Sequence, residues 1–265
     1  MVALLLLGYV FLYLPLALMA VYGFNDSRLL TVWTGFSWRW YAALWQDRQV
    51  VGAALLSLRI AAASATLATA VGACAGIALA RFGRFPGRGA LAGALAIPLV
   101  IPDVVAGLSL LLLFVAVSAQ RGAATVTLAH AGFTLAYVAV VVQARLADAG
   151  IELEEAAADL GAPPWRVFAS VTLPLMRPAL VSGWLLAFAL SLDDLMIASF
   201  TSGPGATTLP MVLFSRLHLS VSPEVFALAT TIMSIVLVAL GAAWVLRPSS
   251  RPAGAKQKPP RLWWG

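Results

Sequence analysis

Asp193 and Asp194 stand side by side in FALSLDDLMIASF, residues 188–200, a stretch otherwise apolar enough to cross a bilayer. A third acid, Asp103, lies in PLVIPDVVAG. A charged side chain at the bilayer centre costs about 2.5–3.5 kcal/mol even on insertion-based scales, so such acids are expected to face water or a partner. Two chemistries suit them. Carboxylates can replace part of the hydration shell of a passing cation, provided they attract without trapping it. They can also relay protons. Aromatic faces would help a cation through cation–π attraction, and Tyr137 and Trp184 are the candidates, although large aromatics in spans are more often packing. Adjacent helical residues point about 100° apart. Asp103, Asp193 and Asp194 are therefore all candidates for a pathway, but of the adjacent pair only one can face it squarely; Asp193 is the first choice, with Asp194 holding the local backbone, and the reverse assignment stays open. Ser191-x-x-Asp194 also resembles a helix-start box, which suits a structural Asp194 at a local break. In a span over 179–200, Asp193 would lie about 10 Å of helix rise from one end. The competing reading satisfies both acids through a neighbouring helix or a partner chain, with Arg59 as a candidate counter-ion. Asp103, between Pro98, Pro102 and Gly107, either stitches a proline-broken helix or lines a path for a cation.

The elements that must position these acids are membrane spans. The chain of 265 residues is 62% hydrophobic and only 11% charged, against roughly 25% charged in soluble domains. Apolar runs long enough to span fall at about 2–24, 51–80, 90–118, 125–144, 179–200 and 225–246. They are too long and too rich in Leu and Ala for alternating barrel strands. The expected class is all-α, with six transmembrane helices. Lys and Arg set the orientation. Arg81, Arg84 and Arg88, then Arg145, Arg166 and Arg177, then Arg247, Arg251, Lys256, Lys258 and Arg261 share one side if both termini are cytoplasmic. They outnumber Arg28, Arg39, Arg48, Arg121 and Arg216 on the other side. The net charge of +6 thus speaks to topology and not to nucleic acid. The first run lacks a basic n-region and a cleavage site, so a retained span is expected in place of a signal peptide, with a few residues preceding it. The lone Cys74 reads as inert packing. The Trp and Tyr of FSWRWYAALWQD suit an interfacial belt. Gly203-Pro204-Gly205 is a turn, and MVLFSRLHL after it can lie along the membrane surface. Residues 1–247 are expected to form one membrane domain and 248–265 a basic, disordered cytoplasmic tail.

One connection, 151–178, is polar and acidic at its start: IELEEAAADLGAPPWRVFASVTLPLMRP. Glu and Ala favour a short helix with acids in its first turn. Gly161 suits the left-handed residue that closes it, and Pro163 or Pro164 the first turn of a second helix. That helix, WRVFASVTL, carries Val167, Val171 and Leu175 on a narrow apolar face. Pro174 and Pro178 are expected to break the chain before the fifth span. The product is two short helices at an angle, with Ala156, Ala157 and Ala158 leaving room for close approach by another molecule.

Glu155-Ala156-Ala157, Gly161 and Val171-Thr172-Leu173-Pro174 reproduce the spacing EAA-x3-G-x9-I-x-LP, with Val171 in place of Ile. This resembles the EAA loop of ABC importer permeases. ARFGRF, IPLVIPDVVAGLSLLLLF, LAHAGFTLAYVAVVV and SGWLLAFALSLDDLMIASFTSGPGATTLPM extend the resemblance to permeases of the polyamine (putrescine/spermidine) type, nearest to those of putrescine importers. The short N-terminus and the tail from about Pro248 are the least similar parts. The resemblance implies a type I (MetI-like) importer permease fold in the bacterial inner membrane. It also implies ATPase coupling through Glu155, Ala156, Ala157, Gly161, Leu173 and Pro174. The implied partners are a homologous second permease, two ABC ATPase subunits and a periplasmic polyamine-binding protein, with membrane lipid around them. The chain itself is expected to be non-catalytic and to carry no cofactor. It has no GxxxxGK[ST] phosphate loop, and its two histidines, His130 and His218, with Cys74 make no metal set. His130 reads as a hydrogen-bonded packing residue. The alternatives are a secondary cation transporter using the intramembrane acids as a proton relay, and an anchoring protein, which would leave those acids without a purpose.

Overall fold

The computed structural model describes residues 2–28, 32–219 and 223–245. The elements are α1 (Val2–Tyr22), α2 (Arg39–Gln46), α3 (Arg48–Arg81), α4 (Arg88–Val100), α5 (Asp103–Ala116), α6 (Ala123–Ala149), α7 (Glu152–Asp159) and α8 (Pro164–Val167). A π-helical turn, Phe168–Thr172, then leads into α9 (Leu173–Asp193), followed by α10 (Met196–Thr201), α11 (Leu209–Leu219) and α12 (Pro223–Val245). All named elements among the described residues are helical, as the composition predicts. The helices fall into two units, residues 42–221 and a unit made of the two ends of the chain.

In the 42–221 unit, α3, α6 and α9 pack on one another, the α3–α6 pair most extensively. Lipid offers no hydrophobic drive between helices, so close approach through small residues decides this packing. Ala61, Ala65, Ala68, Gly72 and Gly76 line the buried face of α3. A Cβ on Gly72 would lie 2.6 Å from the Leu135 carbonyl oxygen, and one on Gly76 2.7 Å from that of Ala139. Val138, Val142, Leu146, Met176 and Ala187 complete the apolar seam between the three helices. Gly107 does the same for α5, where a Cβ would meet Phe200 and the Ile197 backbone of α10. Asp47 caps α3, accepting from the backbone N–H of Gln49 at 2.8 Å and of Val50 at 3.2 Å. Arg216 of α11 is ion-paired with the same carboxylate.

In the other unit, α1 packs against α12, and a loop folds around Asn25. The Asn25 side chain is fully buried; it accepts from the N–H of Ser27 and Thr34 and donates to the Val32 carbonyl. Trp40 donates to the Asn25 carbonyl at 2.7 Å. Phe24, Phe36, Trp38 and Tyr41 cluster beside it, with ring centroids 4.8–5.7 Å apart. The aromatic content assigned to an interfacial belt is therefore also a packed structure.

Among the described residues, four helical segments are long and apolar enough to cross a membrane: Leu4–Tyr22, Arg48–Arg81, Ala123–Ala149 and Pro164–Asp193. The predicted third span, 90–118, is instead two helices, Arg88–Val100 and Asp103–Ala116, bent by 119°. Pro102 is the cause. It cannot continue α4, and its extended backbone (φ −58°, ψ 139°) starts α5 in a new direction. The predicted sixth span falls on α12, whose apolar stretch among the described residues is Pro223–Ile235. The fifth differs most. Helix runs from Pro164 through Pro174 and Pro178 to Asp193, so these prolines do not break the chain, and WRVFASVTL is the root of α9, not a separate helix. The π turn explains this. Leu173 donates its N–H to Phe168, five residues back, and the wider turn relieves the clash between the Pro174 ring and the carbonyl four residues before it. Cys74, expected in packing, lies on the exposed side of α3. The basic tail, 248–265, lies outside the described residues.

Candidate functional site

The acids sit where helices stop. α9 ends at Asp193, and Asp194 turns the chain with extended backbone (φ −66°, ψ 126°). The 100° relation expected of neighbours on a continuous helix therefore does not hold. The Asp194 carboxylate accepts from the backbone N–H of Ala198 at 2.7 Å and of Ile197 at 3.3 Å, so it caps α10. The structural role expected for Asp194 is what the backbone shows. Its means differ from the box: the acceptor is Asp194 itself, not Ser191.

The counter-group to Asp194 is His130 of α6, not Arg59, which is exposed on α3. His130 Nε2 lies 3.1 Å from Asp194, and Nδ1 lies 2.7 Å from the Ser191 hydroxyl. Ser64 of α3 donates to Ser191 at 2.9 Å. Both ring nitrogens of His130 are thus partnered, one by the Ser191 hydroxyl and one by the Asp194 carboxylate. The result is an ordered chain through three helices, Ser64 to Ser191 to His130 to Asp194. His130 is 2% exposed and Ser64 0%, so each link replaces a water that is not available. The packing reading of His130 holds in kind, but sequence spacing did not reveal its partners.

Asp193 has a different environment. It is exposed and within electrostatic reach of Asp194, Asp103 and His130. Asp103, also exposed, is the first residue of α5, where a negative charge suits the helix dipole. The bend after Val100 and the break after Asp193 thus bring Asp103 and Asp193 toward one another. The aromatic candidates are elsewhere. Tyr137 packs its ring at 5.5 Å from Phe133. Trp184 donates to Thr66 at 3.1 Å and stacks on Phe188. On their helices they stand about 10 Å from His130 and about 13 Å from Asp193, respectively.

The 151–178 segment forms the second candidate site. α7 closes as predicted at Gly161, whose φ of +83° is left-handed. Gly161 N–H bonds the Ala158 carbonyl and Ala162 N–H the Ala157 carbonyl, the pair of bonds that terminates a helix at such a glycine. Pro164 takes the first position of α8. Glu155, Ala156 and Gly161 are exposed, with Leu160 90% and Trp165 66% exposed beside them. Leu173 and Pro174 are half-buried at the root of α9. The residues that fasten this loop are others. Arg81, the last residue of α3, donates from Nε to Glu154 at 2.7 Å, from Nη1 to the Leu146 carbonyl at 2.9 Å and from Nη2 to the Gly150 carbonyl at 2.6 Å. Thr172 donates to the other Glu154 oxygen at 2.7 Å. In the sequence Arg81 stands out as a topology marker and as part of ARFGRF, and Glu154 as one of the acids in the first turn of α7; no local spacing pairs the two.

Residues 72–249 match the family described as "Binding-protein-dependent transport system inner membrane component". The chain is 53% identical over 251 residues to the putrescine transport system permease protein PotI of Escherichia coli K12, covering 92% of this chain and 89% of that protein. It is 43% identical over 234 residues to the spermidine/putrescine transport system permease protein PotC of Haemophilus influenzae, covering 88% and 91% respectively. A crystal structure of a bacterial ABC transporter involved in import of the acidic polysaccharide alginate is similar in fold, with a TM-score of 0.71 over 92% of this chain and 93% of that one. At 16% identity that likeness concerns the fold alone.

Proposed function

The chain belongs to the family of inner-membrane components of binding-protein-dependent transport systems, and on that premise we propose that it is a permease subunit of an ATP-driven importer for putrescine-like and spermidine-like cations. The extent of the likeness carries this reading: two polyamine permeases align with about nine-tenths of the chain. Residues 1–247 act as one permease domain and form half of a translocation pathway, with both termini in the cytoplasm. A homologous permease forms the other half, a periplasmic polyamine-binding protein delivers the substrate, and two ATPase subunits burn the ATP.

The exposed face of α7 and the turn at Gly161 dock into the ATPase. Glu155, Ala156 and Ala157 present this face, and Leu173 and Pro174 seat it on α9. Exposed Leu160 and Trp165 supply the apolar contact that such docking needs. Asp103 and Asp193 lie along the pathway, where two carboxylates can replace hydration at the two ends of a diammonium cargo. Asp194 is committed to α10 and His130. Co-purification of the chain with the ATPase, the second permease and the binding protein tests the coupling. Glu155→Ala and Gly161→Leu should each reduce ATPase association. An assembly that never retains the ATPase, or retains it equally with both variants, would count decisively against the reading.

A further inference from the structure

From the contacts of Glu154 we infer that Arg81, Glu154 and Thr172 form the clamp that transmits motion of α7 to the spanning helices. The inference rests on the proposed function and goes beyond the docking loop to residues behind it. None of the residues of α7 is buried, so apolar packing does not hold this helix in place. A cavity of about 300 Å³ lies beside it, lined by Ile77, Phe82, Ala158, Pro164, Val167 and Phe168 together with the three clamp residues. What fastens α7 is the Glu154 carboxylate. One oxygen receives Arg81 at the end of α3, and the other receives Thr172 in the π turn at the root of α9. Arg81 and Glu154 are each 12% exposed and Thr172 is 6% exposed, so these charge-assisted bonds are shielded from water and correspondingly strong.

Arg81 reaches further. Its two terminal nitrogens satisfy the Leu146 and Gly150 carbonyls, which belong to the last turn of α6 and to the turn after it. The carbonyls of a last helical turn have no partner within the helix, so the same guanidinium closes α6. Gly150 has a positive φ of +68°, a conformation open to glycine and strained for other residues, and this shapes the turn that presents its carbonyl. One arginine and one glutamate therefore join α7 to α3, α6 and α9 at once. A push on α7 moves three spanning helices together, and the π turn, a wider and weaker stretch of helix, is the place where α9 can yield.

The clamp predicts a particular defect: assembly without coupling. The complete complex is reconstituted in liposomes, and ATP hydrolysed per putrescine imported is measured for the unaltered protein, Thr172→Val, Thr172→Ser and Glu154→Gln. Loss of one hydrogen bond to a charged group should shift the balance between fastened and loose α7 roughly tenfold. Thr172→Val and Glu154→Gln should therefore raise the ATP-to-putrescine ratio, by at most roughly tenfold, while ATPase co-purification stays complete. Thr172→Ser, which keeps the hydroxyl, should keep the ratio. An unchanged ratio in whichever of the Val and Gln variants assembles overturns the clamp, as does a Ser variant as uncoupled as the Val variant. If the unaltered complex neither retains an ATPase nor uses ATP, the proposed function itself has failed, and the two failures are thereby distinct.

Discussion

Asp193 and Asp194 are neighbours with opposite commitments. Asp194 is held by two backbone N–H groups and a buried imidazole, whereas Asp193 is exposed among other acids. Asp194→Ala should cost about 1–3 kcal/mol of stability, through the lost cap and the unpartnered His130 nitrogen. Asp193→Asn touches neither, and should stay within about 0.5 kcal/mol of the unaltered protein. Its effect should appear in transport, as slower uptake of a dication. Thermal unfolding in lipid nanodiscs beside initial uptake rates separates the two. Equal loss of stability in both variants would show that the assignment of roles is wrong. How far this was legible in the sequence is instructive. Polar residues in an apolar run marked the place, and proline and glycine marked the breaks near it. The pairing with His130, 64 positions away, follows from how α6 meets α9, and no local spacing encodes that.

Among the elements, α3 shows what small residues do. Gly76 lets the Ala139 carbonyl of α6 approach where a Cβ would be 2.7 Å away. Gly76→Leu should destabilise by at least the 1–3 kcal/mol (approximately) of an overpacked core, because a helix backbone cannot retreat as a side chain can. Gly132→Ala, on α6 with nothing within 4 Å of its Cβ, should be neutral or stabilising by up to about 1 kcal/mol through helix propensity. Chemical denaturation of the two variants in lipid checks the contrast, and similar costs for both would refute close α3–α6 packing. The Gly72-x-x-x-Gly76 spacing stands openly in the sequence, but it does not say which helix approaches. The closing glycine of α7 and the opening proline of α8 were legible because turn chemistry is local. The continuation of α9 through Pro174 was not, because it depends on the π turn. The start of α3 carries a pH signature. Burial pushes the Asp47 carboxyl up, but the Arg216 hydrogen bond, the Val50 and Gln49 N–H groups and the Arg216 charge outweigh it, leaving its pKa below the ordinary value. Its contribution is complete above the unfolded-state carboxylate pKa of about 4 and disappears as pH falls through the lowered folded value. Asp47→Asn should flatten the stability profile in that acidic window and leave its shape near neutrality unchanged; an unaltered acid limb in the variant would exclude Asp47 as a source.

For the whole molecule, the governing fact is how unevenly the spans are covered by the chain itself. Of the residues in the most apolar window of α6, 56% are buried, and of those in that of α3, 39%, but in that of α1 none is fully buried. A chain with so much apolar helix surface needs lipid or other subunits over it, which accords with a permease that is one part of an assembly. The membrane acids allow a rival energy source, a proton gradient acting through Asp103, Asp193 and Asp194, and span number alone does not decide between the two, since six spans can be half of either device. The decisive difference is where the energy enters. Through α7, it enters as ATP on partner chains; through the acids, it enters as protons along the pathway. In liposomes holding the complete complex, putrescine uptake should continue when an uncoupler collapses the proton gradient with ATP present, and should stop when ATP is withdrawn with the gradient intact. Asp103→Asn combined with Asp193→Asn should slow uptake in both dilute and concentrated salt without changing the response to the uncoupler, because the proposed role of these carboxylates is to handle the cargo and not to supply the driving force. Uptake that survives ATP withdrawal and fails with the uncoupler would transfer the energy source to the acids and remove the reason for an exposed, clamped α7.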